Sequence, residues 1–65
     1  MAERILRLPE VKDRTGLSRS TIYLRIKQGS FPTQIKLDGR AAGWIEEEVN
    51  GWIEERIRQS RGFGT

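Results

Sequence analysis

The chain has no cysteine and no histidine in its 65 residues. Without cysteine there is no disulfide, no thiolate metal site and no thiol nucleophile. Without histidine as well, zinc-finger ligand sets and imidazole acid–base catalysis are excluded. Small secreted domains usually depend on disulfides, so a reducing cytoplasm is the expected compartment. Long apolar runs are also missing. None approaches the ~20 residues that span a bilayer, and the first residues do not read as a signal peptide. There is no internal repeat and no low-complexity stretch. Proline occurs only 2 times, so breaks in the chain fall mainly at glycine.

What is present is one small domain. A chain of this size buries only ~60% of the surface that its unfolded form exposes, so the core is thin. The charge is modest overall, with 12 Lys+Arg against 9 Asp+Glu and a net of +3. It is unevenly spread. Residues 1–44 hold nine basic and four acidic side chains, a net of +5, and residues 45–65 hold three basic and five acidic, a net of −2. From Arg14 to Arg40 there are six basic residues and a single acid, Asp38. That segment is expected to face something anionic.

Pro9 and Glu10 open a short helix that is expected to run over 9–15, with Val11 inward and Gly16 ending it. Ser18 is a good N-cap for a second helix over 19–28, closed by Gly29. Leu17 and Ile22 flank that cap as a hydrophobic staple, and Ile22 and Ile26 define the buried side. Two helices joined by a turn of about three residues have the spacing of a helix-turn-helix.

The texture changes after Phe31-Pro32. Residues 34–37 alternate as a half-buried strand does, and Asp38-Gly39 suggests a type I′ hairpin turn. Residues 40–44 would be the return strand, Gly/Ala-rich and therefore weak in register. Ile45, Val49, Trp52, Ile53 and Ile57 then form the apolar stripe of a third helix, in phase across Asn50-Gly51. Glu54 and Arg58 are an i,i+4 pair on its outer side. The expected domain covers 1–58, and 59–65 are expected to be a flexible tail. The order is helix, helix, hairpin, helix: mainly α with a small β-hairpin, a winged helix-turn-helix.

A helical wheel puts Leu24 opposite the Ile22–Ile26 side, flanked by Ser20, Thr21, Lys27 and Gln28. This face is polar and basic and has no acid. Short hydroxyls near the helix start and long basic arms further along suit a major groove. The competing reading is a solvated helix face. Leu24 is either an apolar contact to a thymine methyl or an ordinary exposed leucine. Lys36 and Arg40 on the hairpin reach phosphates or guard the strand edge. Trp44 and Trp52 read as core. Glu46-Glu47-Glu48 sits where acids favour a helix dipole. No acid–base pair, phosphate loop or partnered nucleophile is found, so no catalytic residue, cofactor or metal is assigned and no enzyme activity is expected.

The ordered set Leu8-Pro9-Glu10-Val11, Thr15-Gly16-Leu17-Ser18-Arg19-Ser20-Thr21-Ile22-Tyr23, Gly29, Phe31-Pro32, Lys36-Leu37, Gly39-Arg40, Gly43-Trp44, Glu48-Val49, Trp52-Ile53 and Arg56 resembles the AlpA family of prophage transcriptional regulators, over about residues 5–58. The resemblance implies a MerR-like, excisionase-like winged helix-turn-helix and a non-enzymatic, bacterial or phage-encoded DNA-binding protein. It places the recognition helix at 18–28 and the wing at 34–44, with Gly39-Arg40 in the wing. The family more often has a basic and then an apolar residue after Ile22-Tyr23, where this chain has Leu24 and then Arg25. Gly51 stands where the family usually has a better helix former.

The function expected is therefore a sequence-specific regulator of prophage or mobile-element genes that binds double-stranded DNA. Ser18, Ser20, Thr21, Tyr23, Leu24, Lys27 and Gln28 belong to the recognition helix. Arg14, Arg19, Arg25, Lys36 and Arg40 are the expected phosphate contacts. Self-association or cooperative assembly on DNA and an integrase partner are compatible with this, since one small module covers a short site. An excisionase that bends attachment-site DNA shares every feature. A protein-interaction module that holds an acidic partner on helix three or the wing is the alternative from another class; it would leave Trp52, Ile53 and Ile57 exposed.

Overall fold

The computed structural model describes residues 4–62. Six elements follow in order: β1 (Ile5–Leu6), α1 (Leu8–Thr15), α2 (Arg19–Gln28), β2 (Ile35–Asp38), β3 (Ala41–Ile45) and α3 (Glu46–Gly62). The fold is a small winged helix-turn-helix, mainly helical, with β2 and β3 as the wing.

Local chemistry sets the helix ends. Glu10 accepts the Arg7 backbone N–H at 3.4 Å, which ties down the start of α1. At its end Gly16 adopts a left-handed φ of 73° and donates its N–H to the Lys12 carbonyl at 2.8 Å. A residue with a Cβ would be strained there, which is why glycine stops the helix. Ser18 Oγ caps α2 by accepting the Thr21 N–H at 3.2 Å. Gly29, at φ 80°, donates to Ile26 and Ser30 donates to Arg25, a Schellman closure. Residues 16–18 form the turn between the two helices. Thr15 braces it, donating to the Val11 carbonyl at 2.7 Å and accepting from the Leu17 N–H at 3.2 Å.

The sheet has the order β1-β3-β2 and both pairings are antiparallel. β1 is an addition to the expected hairpin. Leu6 pairs with Trp44 and is fully buried, so this short strand stitches the chain start to the core. Leu6, Val11, Ile22, Phe31, Trp44 and Val49 form that core, with Leu8, Leu17, Ile26, Trp52 and Ile53 packed around it. Both indoles also hold the segment between α2 and the wing. Trp44 Nε1–H donates to the Pro32 carbonyl at 3.0 Å and Trp52 Nε1–H to the Ser30 carbonyl at 2.7 Å. Phe31 lies edge-on to Trp52 at 4.8 Å. The position of the wing relative to α2 is thereby tied to α3 and β3.

Four expectations need correction. The hairpin turn is not type I′, which needs positive φ at both central residues. Asp38 and Ala41 are paired, Gly39-Arg40 form the turn, and only Gly39 has positive φ, 53°. A bulge between Lys36 and Asp38 shifts the register by one residue, Leu37. The β3 register is firmly set, because Gly43 is buried under β1: a Cβ there would lie 2.5 Å from Ile5 Cγ2 and 2.9 Å from the Leu6 carbonyl oxygen. α3 runs to Gly62, so residues 59–62, expected in a flexible tail, are helical. No glycine or proline lies between Gly51 and Gly62, and Gln59 donates to Glu55 at 3.5 Å one turn back. Residues 63–65 of that expected tail lie outside the described residues. Finally, Arg58 pairs with Glu55 at 2.8 Å rather than with Glu54, taking the i,i+3 neighbour on the same exposed surface. α3 is unbroken through Asn50-Gly51. No helix among the described residues is long and apolar enough to cross a membrane.

Candidate nucleic-acid interface

α2 is held at its inner side by Ile22, which is fully buried, and by Ile26. Its outer side carries Arg19, Ser20, Leu24, Lys27 and Gln28, all exposed. Leu24 is 53% exposed, a large apolar side chain at the centre of a polar face. No carboxylate occurs from residue 19 through residue 36. This stretch therefore contributes positive charge only.

Not every expected residue joins that face. Ser18 is committed to the cap: its Oγ accepts the Thr21 N–H and donates to Thr21 Oγ1 at 2.9 Å. This fixes the half-buried Thr21 hydroxyl at the edge of the face. Tyr23 leans toward the wing, donating its hydroxyl to Gln34 Oε1 at 3.2 Å, with its ring 6.4 Å from Trp44. The Arg19 guanidinium lies over the Tyr23 ring at 5.5 Å, a cation–π contact that orients its charge at the helix start. Arg14 is turned inward across α1 to α3, donating to Glu46 at 3.0 Å and to Asn50 at 3.1 Å. Glu46 also lies 3.8 Å from Arg4, so the acid at the α3 start joins α1 and the residue before β1 to α3. Arg25 is half-buried on the flank of α2 nearest α3, and its Nε is enclosed with no hydrogen-bond partner. Lys36 on β2 and Arg40 in the turn are exposed on the wing.

Between α1, α2 and the wing runs a groove of about 350 Å³. Tyr23 and Trp44 line it, with Leu8 and Pro9 on the α1 side. Arg7 and Arg40 also border it, and Gln34 stands on the wing side. Sequence reasoning missed Arg7 and Gln34. Nothing in the spacing singles out Arg7; only the fold brings it to the groove that Arg40 also borders. Gln34 shows its position only through the Tyr23 contact. Two guanidinium groups beside a helix N-terminus are suited to oxyanions, phosphate in particular.

The whole arrangement is a short helix with a basic, acid-free outer face, a wing bearing cations at its tip, and a basic groove between them.

The family described as prophage CP4-57 regulatory protein (AlpA) matches residues 4–57. The chain is 48% identical over 62 residues to the uncharacterized protein ORF88 of Enterobacteria phage P4, covering 94% of this chain and 70% of that one. It is 40% identical over 63 residues to the DNA-binding transcriptional activator AlpA of Escherichia coli K12, covering 88% and 90% respectively. No solved structure gave a significant match.

Proposed function

The chain belongs to the AlpA family, and on that footing we propose that it is a sequence-specific DNA-binding transcriptional regulator of prophage or mobile-element genes. α2 enters the major groove. Ser20, Leu24, Lys27 and Gln28 face base edges, with Thr21 at the margin. Tyr23 acts at one remove, by holding Gln34 and the wing beside the helix. Arg19, Lys36 and Arg40 meet phosphates, and Arg7 adds a contact from the groove that Arg40 also borders. Arg14 and Arg25 serve the frame: one braces α1 on α3, and the other stands against α3. The protein works where bacterial DNA is, in the cytoplasm, without a cofactor.

The single observation that carries this is the outer face of α2. It is basic and free of acid, and it presents Leu24 at its centre. A merely solvated helix gains nothing from an apolar side chain there, whereas a groove offers thymine methyls to it. The family match and the activator named among its relatives point the same way.

Salt dependence tests it. Four cations on phosphates predict a slope of about −3.6 for log K against log salt on duplex DNA, from −0.9 per phosphate contact. Binding to a duplex with a slope near zero, or no binding at low salt, refutes the proposal.

A further inference from the structure

A second groove lies on the opposite flank of α2. Arg25 and Tyr23 project to either side of the buried Ile22–Ile26 line, Tyr23 toward the wing and Arg25 toward α3. The Arg25 side opens into a groove of about 250 Å³. Leu17, Trp52, Ile53 and Ile57 form its apolar lining, and Arg25 and Arg56 supply charge, with Arg14 at the α1 end. No carboxylate among the described residues lines it.

Three features are unexplained by folding alone. Ile57 continues the apolar stripe of α3 yet is 46% exposed. Arg25 has no ion-pair partner among the described residues, so its guanidinium charge is left uncompensated. Arg56 lies over the Trp52 ring at 5.5 Å, which keeps its exposed charge beside the groove. Arg14 is already neutralised by Glu46, so the charge left to match is that of Arg25 and Arg56. The apolar lining calls for hydrophobic cover, and the guanidinium groups call for carboxylates, which they bind in bidentate fashion.

We propose that this groove docks an acidic amphipathic segment of a partner protein. Its apolar side chains cover Trp52, Ile53 and Ile57, and its carboxylates meet Arg25 and Arg56. The space takes a bulky apolar side chain, since a cavity of ~150 Å³ already accommodates a benzene ring. A phosphodiester backbone would satisfy the arginines but would leave the isoleucines uncovered. The docking leaves the outer face of α2 open, so the partner and a DNA duplex are held side by side.

The test uses short synthetic peptides that share leucines at i, i+3, i+4 and i+7 and differ only in carrying Glu, Gln or Lys between them. Each is titrated into the isotope-labelled full chain while backbone amide resonances are followed. The Glu peptide is expected to bind about tenfold tighter than the Gln peptide or more, and the Lys peptide not at all. Its shifts fall on residues 14–17, 25 and 52–57. Ile57→Ser and Arg56→Gln, both at exposed positions, each weaken the Glu peptide about tenfold while the remaining resonances and the DNA salt slope are kept. Equal binding of the Glu and Gln peptides overturns the proposal, as does the absence of shifts. Shifts centred on Ser20, Leu24 and Lys27 also overturn it, because the peptide then only mimics the duplex. Concentration-dependent shifts of the groove amides without peptide would make a second copy the occupant and equally overturn it. Failure to bind DNA refutes the regulator and leaves this groove standing.

Discussion

Two glycines should respond in opposite directions to the same methyl group. At Gly43, an added Cβ would lie 2.5 Å from Ile5 Cγ2 and 2.9 Å from the Leu6 carbonyl oxygen, against the 3.5–4.0 Å of ordinary carbon contact. The isoleucine methyl can rotate, but the carbonyl is backbone, so β1 must move away. That movement pulls on Leu6, which is fully buried. Overpacking of this kind costs about 1–3 kcal/mol. A domain of this length has a total stability of roughly 3–10 kcal/mol, so the loss is a large fraction of it. At about 4–8 °C per kcal/mol, Gly43→Ala should melt roughly 5–20 °C below the parent. At Gly51 nothing lies within 4 Å of the added atom, and φ is not positive. There the methyl only reduces the freedom of the unfolded chain, for a gain of about 0.5–1 kcal/mol. Gly51→Ala should therefore melt about 2–8 °C higher. Thermal unfolding followed by circular dichroism, with urea titration as a second route, measures both. A Gly43→Ala protein as stable as the parent would refute the close approach of β1 to β3. A destabilised Gly51→Ala would refute the continuous, open-faced α3.

Other expectations concern the cap and the DNA face. Ser18→Ala removes the 3.2 Å bond to the Thr21 N–H and should cost about 1 kcal/mol, seen as a lower urea midpoint at unchanged m. Lys36→Ala and Arg40→Ala should each weaken binding to all duplexes alike and flatten the salt slope by about one; a change in sequence preference would contradict their phosphate role. Leu24→Ala should alter preference at one base pair, measured by selection from a randomised duplex pool, and uniform weakening would remove Leu24 from base contact.

The placement of the wing follows from the two indole N–H groups. Trp44 and Trp52 are both core residues in part, yet each donates to a carbonyl in the segment between α2 and β2. A thin core thus doubles as the device that sets the distance between the helix and the wing. The same economy appears at Glu46, which closes the start of α3 against Arg14 and Arg4. It also explains why Arg14, charged and close to α2, turns away from the outer face.

The amino-acid order by itself determined the features that depend on near neighbours. Pro9, Gly16, Ser18 and Gly29 mark the helix ends because capping acts within one turn. The stripe from Val49 to Ile57 carries α3 across Gly51 because a helical face is read over many residues, and one glycine costs less than the stripe contributes; Ile45, expected to open that stripe, instead ends β3, where it pairs with Ile5. The acid-free face of α2 is likewise legible, since position on a helix follows from spacing alone. Only the tertiary structure decided what distant segments do to one another. β1 is too short for any periodicity and exists because β3 pairs with it. The tight register at Gly43, the turn at Gly39-Arg40 with its bulge at Leu37, and the inward turn of Arg14 and Arg25 all depend on groups far apart in the chain. Arg7 and Arg40 share a groove for the same reason. Backbone propensity acts over a few residues, whereas packing and ion pairing act wherever the fold brings surfaces together, and in so small a domain a few such contacts position the whole site.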